Sequence, residues 1–158
     1  MPKIVPNLWF DTEAEEAAEF YCSVFPNSKT TSVTHYTEGS PGTTGTVMTV
    51  AWELDGNRFV GINGGPQFEF NEAVSFEISC ADQDEVDYYW EKLIEGGGSE
   101  GQCGWLKDRF GLSWQVVPAG MEEVFADADP KRAERAMQAM LQMSKLDIAT
   151  LQRAADGE

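Results

Sequence analysis

Between Ile4 and Pro118 the sequence runs twice through one order of patterns: an apolar or β-branched run, a helix opened by acidic residues, a polar stretch, and two runs joined at a turn holding Gly56 or Gly111. In the first copy, residues 4–10 end in Trp9-Phe10. Asp11-Thr12-Glu13 then opens a helix over 13–24, with Ala14, Ala17, Ala18, Tyr21 and Val24 at three- and four-residue intervals. Residues 29–36 and 46–54 read as strands separated by a mobile loop over 38–45. Asp55-Gly56 is a hairpin turn, and 58–62 is the return strand. In the second copy the strand is 74–80, and Asp82 to Glu85 starts a helix carrying Val86, Tyr89, Trp90, Leu93 and Ile94. Gly96-Gly97-Gly98 ends that helix; strands follow at 102–105 and 112–117, around a turn at 108–111. Gly56-Asn57-Arg58-Phe59-Val60 aligns with Gly111-Leu112-Ser113-Trp114-Gln115, a repeat of pattern and not of residue identity.

An α+β fold follows, with paired βαβββ modules over 1–66 and 67–120 in a single domain and a helical extension over 121–158. In that extension Asp129-Pro130 is a helix cap with proline at the first helical position, and Ala133, Met137, Met140 and Leu141 form an apolar stripe. A last helix starts near Asp147 with Ile148 and Leu151. Met137, Met140 and Met143 point to packing against the chain's own sheet or a partner subunit.

The 27 acidic and 11 basic residues give a formal net charge of −16, which excludes partners held by phosphate neutralisation. Neither nucleic acid nor a membrane is an expected partner. No run approaches the ~20 apolar residues that cross a bilayer. The amino terminus, Met1-Pro2-Lys3-Ile4-Val5-Pro6, has no apolar run before a small-residue cleavage site, so a cytoplasmic location is expected. Cys22, Cys80 and Cys103 are odd in number and widely spaced, as reduced thiols would be.

Leu8-Trp9-Phe10, Glu15-Glu16-Ala17, Phe20-Tyr21, Phe25-Pro26-Asn27-Ser28, Gly61-Ile62-Asn63-Gly64-Gly65-Pro66 and Trp114-Gln115-Val116-Val117-Pro118 carry a family pattern in their order and spacing. They resemble the PhnB-like branch of the vicinal oxygen chelate superfamily, the glyoxalase and bleomycin-resistance fold. The stretch from Ala136 to Gln142 is similar to the tail of that branch. The resemblance implies curved sheets around a cavity, usually completed by a homodimer, with a divalent metal in members of known chemistry. The four ligand places fall near Val5, Val60, Ala73 and Gln115, and three of these side chains offer no donor. No metal and no other cofactor is therefore expected. Some members carry the name 3-demethylubiquinone-9 3-methyltransferase, but the glycine clusters here follow helices or strands, whereas a methyl-donor loop opens a helix.

Strand alternation then gives a pocket for a small organic ligand. With Val5 inward, so are Asn7 and Trp9, while Leu8 and Phe10 pack beneath the first helix. Ser75, Glu77 and Ser79, with Ser113 and Gln115, face the same way. Asn7, Trp9, Ser75, Glu77, Trp105 and Gln115 line this pocket, Trp105 and Trp114 being open to a core role instead. Glu77 has the placement of a general base, against the alternative of a carboxylate in solvent or bonded to Gln115. His35, the single histidine, reads as an exposed structural residue, and Ser75 and Ser113 have no histidine nearby in sequence to activate them. Two functions remain: a small-molecule-binding protein without the usual metal site, or an enzyme using Glu77 or glyoxalase-like or methyl-transfer chemistry.

Overall fold

Residues 3–158 are described by the computed structural model; Met1 and Pro2, part of the amino terminus read above, lie outside the described residues. The chain forms two units, 1–70 and 71–158. In the first, β1 (Asn7–Phe10), α1 (Ala14–Val24), β2 (Ser28–His35), β3 (Val47–Leu54) and β4 (Asn57–Asn63) give a sheet ordered β1-β4-β3-β2, with β1 parallel to β4 and the other pairs antiparallel. Leu8, Phe10, Val50, Trp52, Leu54 and Phe59 are buried, as are Ala14, Ala17, Ala18, Tyr21 and Val24 of the helix. Trp52 stacks between Tyr21 and Phe59, with centroids 6.0 Å from each. Small alanines let α1 lie close to the sheet, and Gly61 completes the fit. A Cβ there would stand 2.9 Å from the Trp52 ring and 3.0 Å from the Ala14 methyl.

The cap of α1 departs from the sequence reading. Glu13 occupies the N-cap position but makes no side-chain capping bond. The Ala14 N–H instead donates to Asn63 Oδ1 at 2.9 Å, so the end of β4 caps the helix. The 37–46 segment is a hairpin loop closed by Tyr36 N–H to Thr46 O at 2.8 Å and Gly45 N–H to Tyr36 O at 2.9 Å.

In the second unit, β5 (Ser75–Cys80), α2 (Gln83–Ile94), β6 (Ser99–Glu100), β7 (Trp105–Lys107) and β8 (Ser113–Pro118) repeat the topology, in the order β5-β8-β7-β6 with β5 parallel to β8. Asp82 caps α2 by accepting from the Glu85 N–H at 2.9 Å, while Glu85 Oε2 accepts from the Ala81 N–H at 2.7 Å. The strand expected over 102–105 is replaced by a turn. The Trp105 N–H donates to Gln102 O at 3.1 Å, and Cys103 and Gly104 take φ of 58° and 86°, which an extended chain excludes. Strand structure therefore lies on either side, in β6 and β7.

Three helices follow in the same unit: α3 (Met121–Phe125), which the sequence reading lacked, α4 (Pro130–Met140) and α5 (Ile148–Asp156). Asp129 and Asp147 cap α4 and α5 by accepting from the Lys131 and Thr150 N–H groups. The tail is fastened to the module by Gln83, whose amide takes Leu146 O at 3.0 Å and the Ile148 N–H at 2.9 Å, and by the Lys145–Asp87 ion pair at 2.9 Å. The apolar stripe divides. Met140 and Met143 pack against a core of Met121, Leu146 and Leu151, whereas Met137 and Leu141 stay 39% and 53% exposed and Ala136 takes the buried face of α4. No helix among the described residues is long and apolar enough to cross a membrane.

Candidate functional site

Each sheet has one apolar face buried beneath its helix; the opposite face is mixed in the first sheet and mostly polar in the second. In the first unit Leu8 and Phe10 are buried at 7% and 3% exposure, while Asn7 is exposed and Trp9 half-buried on the other side. Asn7 Nδ2 donates to Val5 O at 3.0 Å. Trp9 is held on three sides. Its Nε1–H donates to Gly65 O at 2.9 Å, its ring is T-shaped to Phe68 with centroids 5.0 Å apart, and Gly64 lies so close that a Cβ there would stand 2.2 Å from the ring.

In the second unit Cys80, Leu106, Trp114 and Val116 are buried, as are Val86, Trp90 and Leu93 of α2. Trp114 belongs to this core: its Nε1–H donates to Asp108 Oδ2 at 2.9 Å, and Asp108 Oδ1 accepts from the Phe110 and Leu112 N–H groups. Burial, reinforced by the Glu85 and Asp82 carboxylates, pushes the Cys80 thiol up to about 11.

The polar face is set by register. Lys107 stands opposite Ser113 and Ser113 opposite Ser75; one row further along, Trp105 stands opposite Gln115 and Gln115 opposite Glu77. Opposed side chains on neighbouring strands have Cβ atoms about 5 Å apart. Four of the expected pocket residues thus share one face of one sheet: Ser75, Glu77, Trp105 and Gln115. Gln115 Nε2 donates to Ser75 Oγ at 2.9 Å, so the Gln115 amide nitrogen goes to serine and Glu77 is exposed.

Sequence reasoning missed part of this face. A cleft of about 290 Å³ is lined by Glu72, Ser99, Trp105, Lys107 and Ser113 among others. Lys107 follows Trp105 by two residues and shares its side of β7, but a strand assigned to 102–105 stops short of it. Lys107 Nζ and Glu72 Oε1 form an ion pair; that hydrogen bond, and then one from the Glu72 backbone, hold the Glu72 carboxyl below its ordinary value. Ser113 is 1% exposed, and its Oγ has no hydrogen-bond partner among the described residues. An unsatisfied buried hydroxyl costs about 1–3 kcal/mol.

The four places at which the resemblance would put metal ligands do not fit one. Val5 and Val60 offer only hydrocarbon, Ala73 a methyl, and Gln115 a neutral amide already donating to Ser75. Glu72, beside Ala73, is a single carboxylate, paired with Lys107. Among the described residues no group of three or more His, Cys, Asp or Glu side chains lies together. His35 is exposed on β2, an edge strand of the first sheet.

Comparison with known proteins agrees with this architecture. Residues 2–117 match the model of the family described as 3-demethylubiquinone-9 3-methyltransferase, so α3, α4 and α5 lie beyond the matched region. No curated protein matches the chain. A solved structure from Bacillus cereus, titled as a 3-demethylubiquinone-9 3-methyltransferase and PhnB protein, is 34% identical with a TM-score of 0.67, over 75% of this chain and 100% of its own. The protein PA1353 from Pseudomonas aeruginosa is 20% identical with a TM-score of 0.61, over 75% of this chain and 98% of its own. The fosfomycin resistance protein FosX from Listeria monocytogenes is 14% identical with a TM-score of 0.51, over 78% and 97%. The last two speak to fold alone. With its two βαβββ modules and a family match over most of its length, the chain belongs to the PhnB-like 3-demethylubiquinone-9 3-methyltransferase family.

Proposed function

We propose that this chain is a small-molecule-binding protein that holds its ligand on the polar face of the second sheet, between Trp105, Gln115 and Ser75. The observation that carries this is the cleft itself: about 290 Å³ lined by the Trp105 indole and the unsatisfied buried hydroxyl of Ser113, on the sheet face that Ser75 and Gln115 share. That combination of an apolar wall with a few convergent polar groups suits a small organic ligand. Asn7 and Trp9 are the corresponding candidates on the first sheet, with Trp9 held rigidly enough to serve as a wall. The protein works in the cytoplasm as a homodimer, with the exposed Met137 and Leu141 of α4 at the contact. It uses neither metal nor other cofactor, and takes no nucleic acid or membrane as partner.

Catalysis through Glu77 has less behind it. A general base acts from a fixed position, and Glu77 is exposed, with no hydrogen bond or ion pair holding it among the described residues. Methyl transfer has only the family's name, since Gly64-Gly65 and Gly96-Gly97-Gly98 follow β4 and α2 and open no helix. A thermal-shift screen of quinones, aromatic antibiotics and divalent metals tests the proposal. A ligand at about 100 times its Kd stabilises by about 2.7 kcal/mol, a shift of several degrees. Aromatic compounds are expected to give that shift in the wild type and in Glu77→Gln, and to lose most of it in Trp105→Ala. A shift untouched by Trp105→Ala, or one abolished by Glu77→Gln, would overturn this assignment.

A further inference from the structure

We propose that the ligand is a small aromatic acid, whose carboxylate takes Lys107 from Glu72 and accepts a hydrogen bond from Ser113 Oγ while its ring lies against Trp105; this rests on the binding reading above. Lys107 and Ser113 are direct partners across β7 and β8, and both line the cleft. Together they offer a cation and an uncommitted hydroxyl about one strand spacing apart, a distance two oxygens of one carboxylate can bridge. Ser113 Oγ is buried without a partner, so a ligand acceptor supplies the bond that the protein leaves unmade.

The other half of the argument is Glu72. It sits in an exposed segment, Asn71 to Val74, and its side chain is 61% exposed against 40% for Lys107. An ion pair so exposed contributes little, and its carboxylate returns to water readily when another takes its place. Glu72 thus occupies Lys107 as a ligand carboxylate would. Glu100, the other acid at the cleft, is already accepting from Trp90 Nε1–H at 2.8 Å and does not compete. Trp105 lies two residues from Lys107 on the same side of β7, roughly 7 Å along the strand, which is the reach from a carboxylate to the far side of one ring. With a net charge of −16 the chain as a whole does not attract anions, so the selection comes from this local pair.

The test is calorimetric titration with benzoate, benzyl alcohol and benzylamine on the full chain. Benzoate is expected to bind about tenfold more tightly than benzyl alcohol, and benzylamine no better than the alcohol. Lys107→Met removes the preference for benzoate and leaves benzyl alcohol unchanged; Ser113→Ala weakens benzoate by about threefold or more. Glu72→Gln removes the competitor and tightens benzoate several-fold, a gain that loss of a merely structural ion pair would not give. Benzoate binding no tighter than the alcohol, unchanged by Lys107→Met, or weakened by Glu72→Gln overturns the acid. If the alcohol still binds and Trp105→Ala abolishes it, the cleft stands and only the ligand class falls. If none of the three probes binds, both fall.

Discussion

Gly61, Asn63 and Gly64 fall within four consecutive positions of the first unit, and each does a different physical task. Gly61 leaves room for Trp52 and Ala14, and Gly64 leaves room for the Trp9 ring. Asn63 accepts from the Ala14 N–H, and its Nδ2 donates to Val47 O at 3.1 Å, tying the start of α1 to the start of β3. Its backbone carbonyl also accepts from the Tyr36 hydroxyl. The motif was visible in the sequence as a family signature, but its physics was not, because the contacts join residues as far apart in the chain as Trp9 and Gly64. Asn63→Ala is expected to cost about 1–2 kcal/mol by removing the cap. Asn63→Asp, which keeps the acceptor, should cost less. Gly64→Ala should cost about 1–3 kcal/mol by overpacking and shift tryptophan fluorescence to the red as Trp9 is displaced. Chemical denaturation with fluorescence detection measures all three, and equal losses for Asn63→Ala and Asn63→Asp would sink the capping account.

Elements were legible where one period ran long enough. Helices α1, α2, α4 and α5 and strands β2, β3, β4, β5 and β8 were foreseen to within a few residues, because their apolar spacing or β-branched runs extend over six or more positions. β6 and β7 have two and three residues, and α3 has five, too few for a period to declare itself. The candidate site suffered from the same cause, since misplacing β7 hid Lys107. The docking of the tail was likewise invisible, resting as it does on Gln83 and Asp87 of α2 meeting Lys145, Leu146 and Ile148. Hydrogen bonds from Lys145 and then Gln83 hold the Asp87 carboxyl below its ordinary value, and the Asp87 hydrogen bond raises Lys145. A carboxyl lowered on folding contributes stability that is fully present above its unfolded value, about 3.9, and lost as the pH falls through the lower folded value. Asp87→Asn should therefore lower the Tm at pH 6, by the equivalent of about 0.2–1 kcal/mol for so exposed a pair. The difference from wild type should vanish in acid below both values. A Tm deficit that persists unchanged at pH 2 would mean that the carboxylate charge is not what fastens the tail.

At the scale of the whole molecule the charge has two consequences that pull in opposite directions. A formal charge of −16 weighs against polyanionic partners, and it also makes two copies of the chain repel each other. The proposed homodimer must overcome that repulsion with apolar contact, for which α4 offers Met137 and Leu141, exposed where Met140 and Met143 turn inward. Salt separates the two effects. Raising the ionic strength shortens the screening length from about 30 Å at 0.01 M to about 8 Å at 0.15 M, which weakens the repulsion while leaving apolar burial in place. Sedimentation should therefore show the dimer Kd tightening several-fold between low salt and about 0.15 M salt, the reverse of a dimer held by ion pairs. Leu141→Glu places a charge in the apolar contact and should give a folded monomer at both salt concentrations. A dimer that loosens with salt would point to ion pairs, and one indifferent to Leu141→Glu would move the contact away from α4.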